Sequence, residues 1–442
     1  MGSFAKPFNR VFFLLCVLIT GSLAGAFVWL FFFLMDEGIS FLWQTLPGWI
    51  GSVTAEPLPV LSQGPFGFVP FPLIVCVLGG LVIGLYAKHT GVEPEDLNSV
   101  MAKVKQDGRY DYSHIGKLSL AALLPLLFGG SIGPEAGLTG VIAGLCTWVG
   151  DRMRRFGADF RALTVAGTQA ALAALFTAPL YGFVAPLSGT ADGARGEEDI
   201  ALPKAQKAVV YLCAIAGALS AFLILGQLFG ESSGLPRFDA VEVGSYELML
   251  LLPLALAGMV CGWVFHAANK GTICLSHAMG NRPVAKDVCS SDLLAGMVCG
   301  WVFHAANKGT MCLSHAMGNR PVAKAVLAGV VLAVCGMALP YTMFAGESQA
   351  HCLMEGYSAL PAAVLITTGF VKCALTPTCL NLGWRGGHFF PVIFSGVSLG
   401  YGFALLTGAA PAFCVAACTS ALMGAVMRQP IMAALLHYRA CK

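Results

Sequence analysis

Residues 123–137 read LLPLLFGGSIGPEAG: an apolar run breaks over glycines and continues as GLTGVIAGLCTWVGDRMRR at 137–155. A carboxylate, Glu135, sits where the backbone is most broken. Near the other end LNLGWRGGHFFPV (380–392) does the same before IFSGVSLGYGFALL (393–406). Each break has a proline within the first turn of the next helix, where its missing N–H costs nothing. In lipid, irregular backbone is tolerated only where it lines a cavity or is buried in protein. The free N–H groups of a helix start carry partial positive charge. Two such starts, one per half of the chain, are what an anion site at the midplane of an inverted-repeat transporter requires. Close helix packing with proline kinks gives the same pattern at a single break; it is the matched pair that favours a site.

The surroundings fix the class. The 442-residue chain is 57% hydrophobic and 11% charged, against about 25% charge in soluble domains. Its mean hydropathy is +0.75. Stretches long enough to cross a bilayer, which takes about 20 residues, recur throughout, as at 11–35, 68–87, 206–229, 246–268, 322–343 and 388–418. The expectation is an all-α polytopic membrane protein. The run at 11–35 is too long for a signal peptide and ends without a small-residue cleavage site. Lys6 and Arg10 before it, and Arg152, Arg154, Arg155 and Arg161 in DRMRRFGADFR, place the N-terminus and the 151–161 segment on the cytoplasmic side of the cell membrane. The net charge of +3 suits loop orientation and not nucleic-acid binding. The 16 cysteines are scattered through apolar segments and read as small packing residues. The phases of Cys261, His266, Cys274 and His277 do not converge on a metal. GVSLG at 396–400 fits a hydrolase pattern but lies inside an apolar run, without the strand-turn-helix that a nucleophile elbow needs. No P-loop, HExxH or dinucleotide fingerprint is present, so the expectation is a non-enzyme without cofactor or metal.

An ionisable residue at membrane depth is costly and marks a pathway. At a helix N-terminus the Glu135 carboxylate can occupy an anion site itself and compete with a permeant anion. Protonation neutralises it and lets it swing away; a simple N-cap at a wet helix end is the plainer alternative. GGSIGPEAG resembles the glutamate motif of CLC chloride channels and transporters, with its G-x-E core at Gly133-Pro134-Glu135. GGHFFP is similar to that family's G-x-F-x-P motif at Gly387, His388, Phe389, Phe390 and Pro391. LAALFTAPLYGFV (172–184) and VMRQP (426–430) resemble two further family segments, in order.

The resemblance implies a CLC-like inverted-repeat fold with broken and re-entrant helices, divided at about 1–200 and 205–442. It implies a homodimer with one anion pathway per subunit, carrying chloride or a similar small anion, with or without protons. Glu135 would be the gate. Backbone N–H groups at Gly133, Ala136, Gly137, Gly387, His388, Phe389 and Phe390 would bind the anion. There are departures. The family's serine motif falls at TGVEPE (90–95), where Gly91 replaces the serine. The inner glutamate of proton-coupled members falls near Gly189, beside Ser188, and neither titrates. The tyrosine ligand of the last family helix is expected beyond residue 442, so the chain reads as truncated after ALLHYRACK. Channel and antiporter both stay open, as does an inverted-repeat transporter for a different anion.

Residues 256–286 recur at 294–324 with one change, Ile273 to Met311, around DVCSSDL at 287–293. Natural repeats come in series and diverge. DVCSSDL is also the in-frame translation of a common sequencing-library adapter. The expectation is that 287–324 is a joining artefact, which keeps a misassembled or non-transporting product among the alternatives. The repeated apolar core, LAGMVCGWVFHA, is too short to span a bilayer by itself.

Overall fold

A computed structural model describes residues 7–49, 70–153, 160–179, 183, 204–230, 244–278 and 320–427. Among them are thirteen α-helices: α1 (Pro7–Ser40), α2 (Pro70–Thr90), α3 (Leu97–Asp107), α4 (Ile115–Leu127), α5 (Glu135–Met153), α6 (Phe160–Leu175) and α7 (Lys204–Phe229), then α8 (Ser245–Ala278), α9 (Pro321–Ala338), α10 (Glu347–Gly356), α11 (Ala362–Asn381), α12 (Phe389–Thr407) and α13 (Pro411–Met427). Seven helical stretches are long and apolar enough to cross a membrane. The expected 388–418 run is not one helix. Gly408 adopts a left-handed φ of +70° and Pro411 opens the next helix, so the chain turns between α12 and α13. A further span, α11, carries Lys372.

The surface is that of a protein solvated by lipid. Val11, Leu15, Ile19 and Leu23 on α1, and Leu248, Met249 and Leu252 on α8, are exposed, while Glu135, Glu347, Lys324 and Lys372 are buried. Charge inside and leucine outside is the reverse of the soluble arrangement.

Without a hydrophobic drive between helices in lipid, small residues let backbones meet. A Cβ at Gly21 or Gly25 of α1 would fall 2.2 or 2.1 Å from carbonyl oxygens of Ala214 or Ala218 on α7. A Cβ at Gly80 of α2 would fall 2.4 Å from the Ala325 carbonyl oxygen of α9, and one at Gly329 of α9 would fall 2.3 Å from that of Cys76. Gly396 and Gly400 of α12 lie as close to α13.

An internal repeat is visible in who packs against whom. In the first series α1 contacts α4, α5 and α6; α2 contacts α4; α3 and α4 each contact α5; and α5 contacts α6. In the second, α8 contacts α11, α12 and α13; α9 contacts α11; α10 and α11 each contact α12; and α12 contacts α13. The α2–α9 pair joins the two series. α7, which the expected division at 200/205 assigns to the second half, packs on α1 and α6 of the first.

The two glycine breaks repeat each other bond for bond. After α4, Phe128, Gly129 and Gly130 donate to Leu124, Leu126 and Pro125 carbonyls. After α11, Leu382, Gly383 and Trp384 donate to Thr378, Leu380 and Cys379. Gly129 and Gly383 take φ values of +82° and +101°, which close each helix as only glycine does without strain. The repeated segment at 287–324 lies outside the described residues except for Arg320 to Lys324, which open α9; the first copy's apolar core lies inside α8.

Candidate functional site

The two breaks meet. Gly133 N–H donates to the Gly387 carbonyl at 2.8 Å and Gly387 N–H returns the bond to Gly133 at 2.7 Å. This reciprocal antiparallel pair joins equivalent positions of the two series and brings the starts of α5 and α12 side by side. It also corrects an expectation: the amides of Gly133 and Gly387 are spent on each other and do not face an anion.

The Glu135 carboxylate, fully buried, lies across this pair. Its Oε1 accepts from the Phe389 amide at 2.5 Å, at the start of α12. The amides of Phe390 and of Glu135 itself contribute to the same cradle. A Cβ at Gly133 would sit 2.0 Å from its Oε2, and one at Gly387 would sit 2.0 Å from Oε1 and from Cδ. Both glycines are therefore required by the side chain lying on them. Oε2 has no hydrogen-bond partner.

Of the remaining expected residues, His388 precedes the first residue of α12 and stacks its ring on Phe389, with centroids 4.8 Å apart. Ala136 and Gly137 lie in the first turn of α5, where amides have no intrahelical acceptor; the helix's own ladder starts with Leu138 donating to Pro134 at 2.9 Å. Gly137 also lets α5 approach Ala122 of α4, where a Cβ would come within 2.3 Å. The cradle has apolar walls: Phe176 stacks on Phe390 at 5.5 Å and tilts against Phe389 at 5.8 Å, and Phe32 meets Phe390 edge-on at 6.5 Å. In so dry a place a negative group meets backbone N–H dipoles that water does not screen.

The breaks are held rigidly. Trp384 donates its indole N–H to the Ala325 carbonyl at 2.8 Å, Trp43 donates to Leu127 at 2.9 Å, and Phe344 N–H donates to Gly129 at 2.9 Å. Lys372 is fully buried in α11. Its ammonium shares its three N–H donors among the carbonyls of Tyr341, Thr342, Met343 and Phe344, at 3.1, 3.3, 2.8 and 2.9 Å, and lies 4.6 Å over the Phe394 ring. It thereby ties down the segment between α9 and α10, where Phe344 holds a φ of +59°. Sequence reasoning missed Lys372 and Glu347. Lys372, in TGFVKCAL, was open to the rule that already singled out Glu135, an ionisable residue among apolar neighbours; Glu347, followed by Ser348 and Gln349, was not.

At the serine-motif position, Gly91 has a φ of +62° and ends α2 by donating to Ala87 at 3.0 Å, a conformation that favours glycine over serine. Beside it Glu93 pairs with Arg385 of the second break at 2.8 Å. Ser188 and Gly189 lie outside the described residues, as do Arg428 and Pro430 of VMRQP.

The sequence matches the family described as voltage gated chloride channel over residues 75–297 and again over 292–441, the two matches meeting at the repeated segment. The "Putative ion-transport protein YfeO" of Salmonella paratyphi A is 26% identical over 392 residues, covering 88% of this chain and 78% of that protein. The Salmonella typhimurium protein of that name has the same identity and coverage. Among solved structures, a slow cyanobacterial Cl-/H+ antiporter shares the fold with a TM-score of 0.67 at 16% identity, covering 96% of this chain and 89% of that one. A CLC-type fluoride/proton antiporter does so with a TM-score of 0.59 at 17% identity, covering 99% and 96%. Family members are transporters or channels. A family match over most of the sequence, laid on helices that cross a membrane and on this shared fold, means that the chain is an integral membrane protein and belongs to the voltage gated chloride channel family.

Proposed function

We propose that the chain moves chloride or a similar small anion across a membrane along a path that Glu135 closes. One observation carries this reading: the Glu135 carboxylate accepts the Phe389 amide at 2.5 Å. A carboxylate and a small anion compete for the same N–H groups at a helix start. While Glu135 is ionised it fills the seat. Once protonated it is a poor acceptor for those dipoles, leaves, and an anion takes the Phe389 and Phe390 amides, with those of Ala136 and Gly137 facing from α5. His388 positions the turn that aims them. The anion's identity and the accompanying proton movement belong to the same proposal, as do a homodimer with one path per subunit and a cytoplasmic N-terminus in the cell membrane.

The test is flux from vesicles reconstituted with the full chain. Wild-type anion efflux is expected to rise as pH falls, and Glu135→Gln, which cannot ionise, to hold one rate across the range. A Glu135→Gln protein with the wild-type pH response removes Glu135 from the gate. Uphill proton movement driven by a chloride gradient marks an antiporter; chloride efflux without it marks a channel.

A further inference from the structure

A second carboxylate rests on a group that can hold an anion. Glu93, in the loop from α2 to α3, accepts from Arg385 of the second break on one oxygen, Oε2, with Nε at 3.0 Å and Nη2 at 2.8 Å. A guanidinium has five N–H donors, so this arrangement leaves donors for another anion. The other acids of that loop have partners of their own. Glu95 pairs with Lys103 at 2.6 Å, and Asp96 caps α3 by accepting from the Ser99 amide at 3.1 Å.

Both partners stand one residue from the cradle of Glu135. Pro94, next to Glu93, has its Cβ 3.7 Å from the place of a Cβ at Gly137, in the first turn of α5. Gly386, next to Arg385, lies against the first break, where a Cβ on it would be 3.0 Å from the Gly133 carbonyl oxygen. A cavity of about 20 Å³, room for about one water, is lined by Glu93, Pro94, Leu124, Pro125, Gly383 and Arg385, and so touches both breaks. It lies on the side of the protein that carries Asp151 and Arg161. Arg109, just past α3, pairs with Asp151 at 2.5 Å, and Arg161 donates to the Lys105 and Gln106 carbonyls at the end of α3.

The backbone beside Arg385 is fixed, because the Trp384 indole is tied to Ala325 at 2.8 Å and Gly386 packs on the first break. Only the side chains are free to change partner. Those of Arg385 and Glu93 are 35% and 47% exposed. An ion pair as wet as this is weak and screened by salt, so a dissolved anion competes with the carboxylate on near-equal terms.

We propose that the Arg385 guanidinium is a second seat for the small anion, at the mouth of the path on the α3 side, with Glu93 as its tethered competitor. This deepens the anion-path reading and rests on it. An anion arriving from that side displaces Glu93 from Arg385 and passes Pro94 to the amides at the starts of α5 and α12. Glu93 then closes on Arg385 again and clears the seat behind it. A charged ligand thus stands beside Gly91, where the family's serine hydroxyl is missing.

The test is the chloride concentration giving half-maximal flux from vesicles of the full chain carrying Glu135→Gln, whose gate cannot close by ionising. Adding Glu93→Gln is expected to lower that concentration by about two- to fivefold, the strength of an exposed ion pair. Adding Arg385→Gln is expected to raise it by about tenfold, for the loss of a charged hydrogen bond. Arg385→Lys, which keeps the charge without the planar fork, is expected to lie between Arg385→Gln and the parent. With Arg385→Gln present, Glu93→Gln is expected to change nothing further. A pair that merely fastens the loop moves both single changes in the same direction; that result, or no shift in either, overturns the proposal. So does a full Glu93→Gln effect in the absence of Arg385. Calorimetric chloride titration of the same proteins in detergent gives an arm independent of transport, and the same opposed signs are expected. Vesicles that pass no chloride overturn the anion path itself, and the proposal with it.

Discussion

A methyl group at Gly387 tests whether the Glu135 carboxylate occupies an anion's seat. A Cβ there falls 2.0 Å from Oε1 and Cδ of Glu135, and 2.5 Å from Cγ, far inside van der Waals contact. Gly387 does not have a left-handed φ, so alanine's own backbone is unstrained. Something must move. The backbone is held by the two bonds with Gly133, at 2.8 and 2.7 Å, whereas the carboxylate is the end of a flexible side chain. In Gly387→Ala the carboxylate leaves and the Phe389 amide loses its acceptor. A hydrogen bond to a charged group contributes about 1.5–3 kcal/mol, equivalent to about 10- to 150-fold in an equilibrium. Chloride titrated calorimetrically into the detergent-solubilised protein, at a pH where wild-type flux is low, is expected to bind Gly387→Ala more tightly by roughly that factor. On a Glu135→Ala background the clash has no partner, so adding Gly387→Ala changes affinity by about twofold at most. Unchanged or weaker binding in the single variant, or an equal effect on both backgrounds, refutes the idea that Glu135 and the anion exclude one another.

Lys372→Met takes the ammonium from the carbonyls of Tyr341, Thr342 and Phe344 and leaves that of Met343 with the Gln349 amide at 3.4 Å, and each unpaired buried acceptor costs about 1–3 kcal/mol. A marked fall in the thermal midpoint in detergent is expected; an unchanged midpoint shows that the cage contributes nothing. Gly329→Ala forces a Cβ to 2.3 Å from the Cys76 carbonyl where α2 and α9 cross, and is expected to destabilise by about 1–3 kcal/mol. Gly226→Ala on α7, with open space around its Cβ, is the matched control and is expected to be neutral or slightly stabilising. Equal midpoints for the two variants exclude close backbone approach as the reason for glycine.

Length, hydropathy and the two breaks around Glu135 and GGHFFP determined the membrane class, the all-α architecture and the places where helices stop. Those signals are local: a glycine that closes a helix and a proline that opens the next act over a few residues of chain. What only the tertiary structure decided is who meets whom across the long interval between 133 and 387. The sequence marked the amides of Gly133 and Gly387 as free for a ligand, but bringing the breaks together turns them into partners and leaves Phe389 to face Glu135. Glu347 shares its short helix with the exposed His351 and Glu355, Lys372 is the one charged residue of α11, and their numbers in the chain say nothing of depth. Packing alone makes one a buried carboxylate with an unbonded oxygen and the other a clamp on the carbonyls before α10, because burial is a property of the folded neighbourhood.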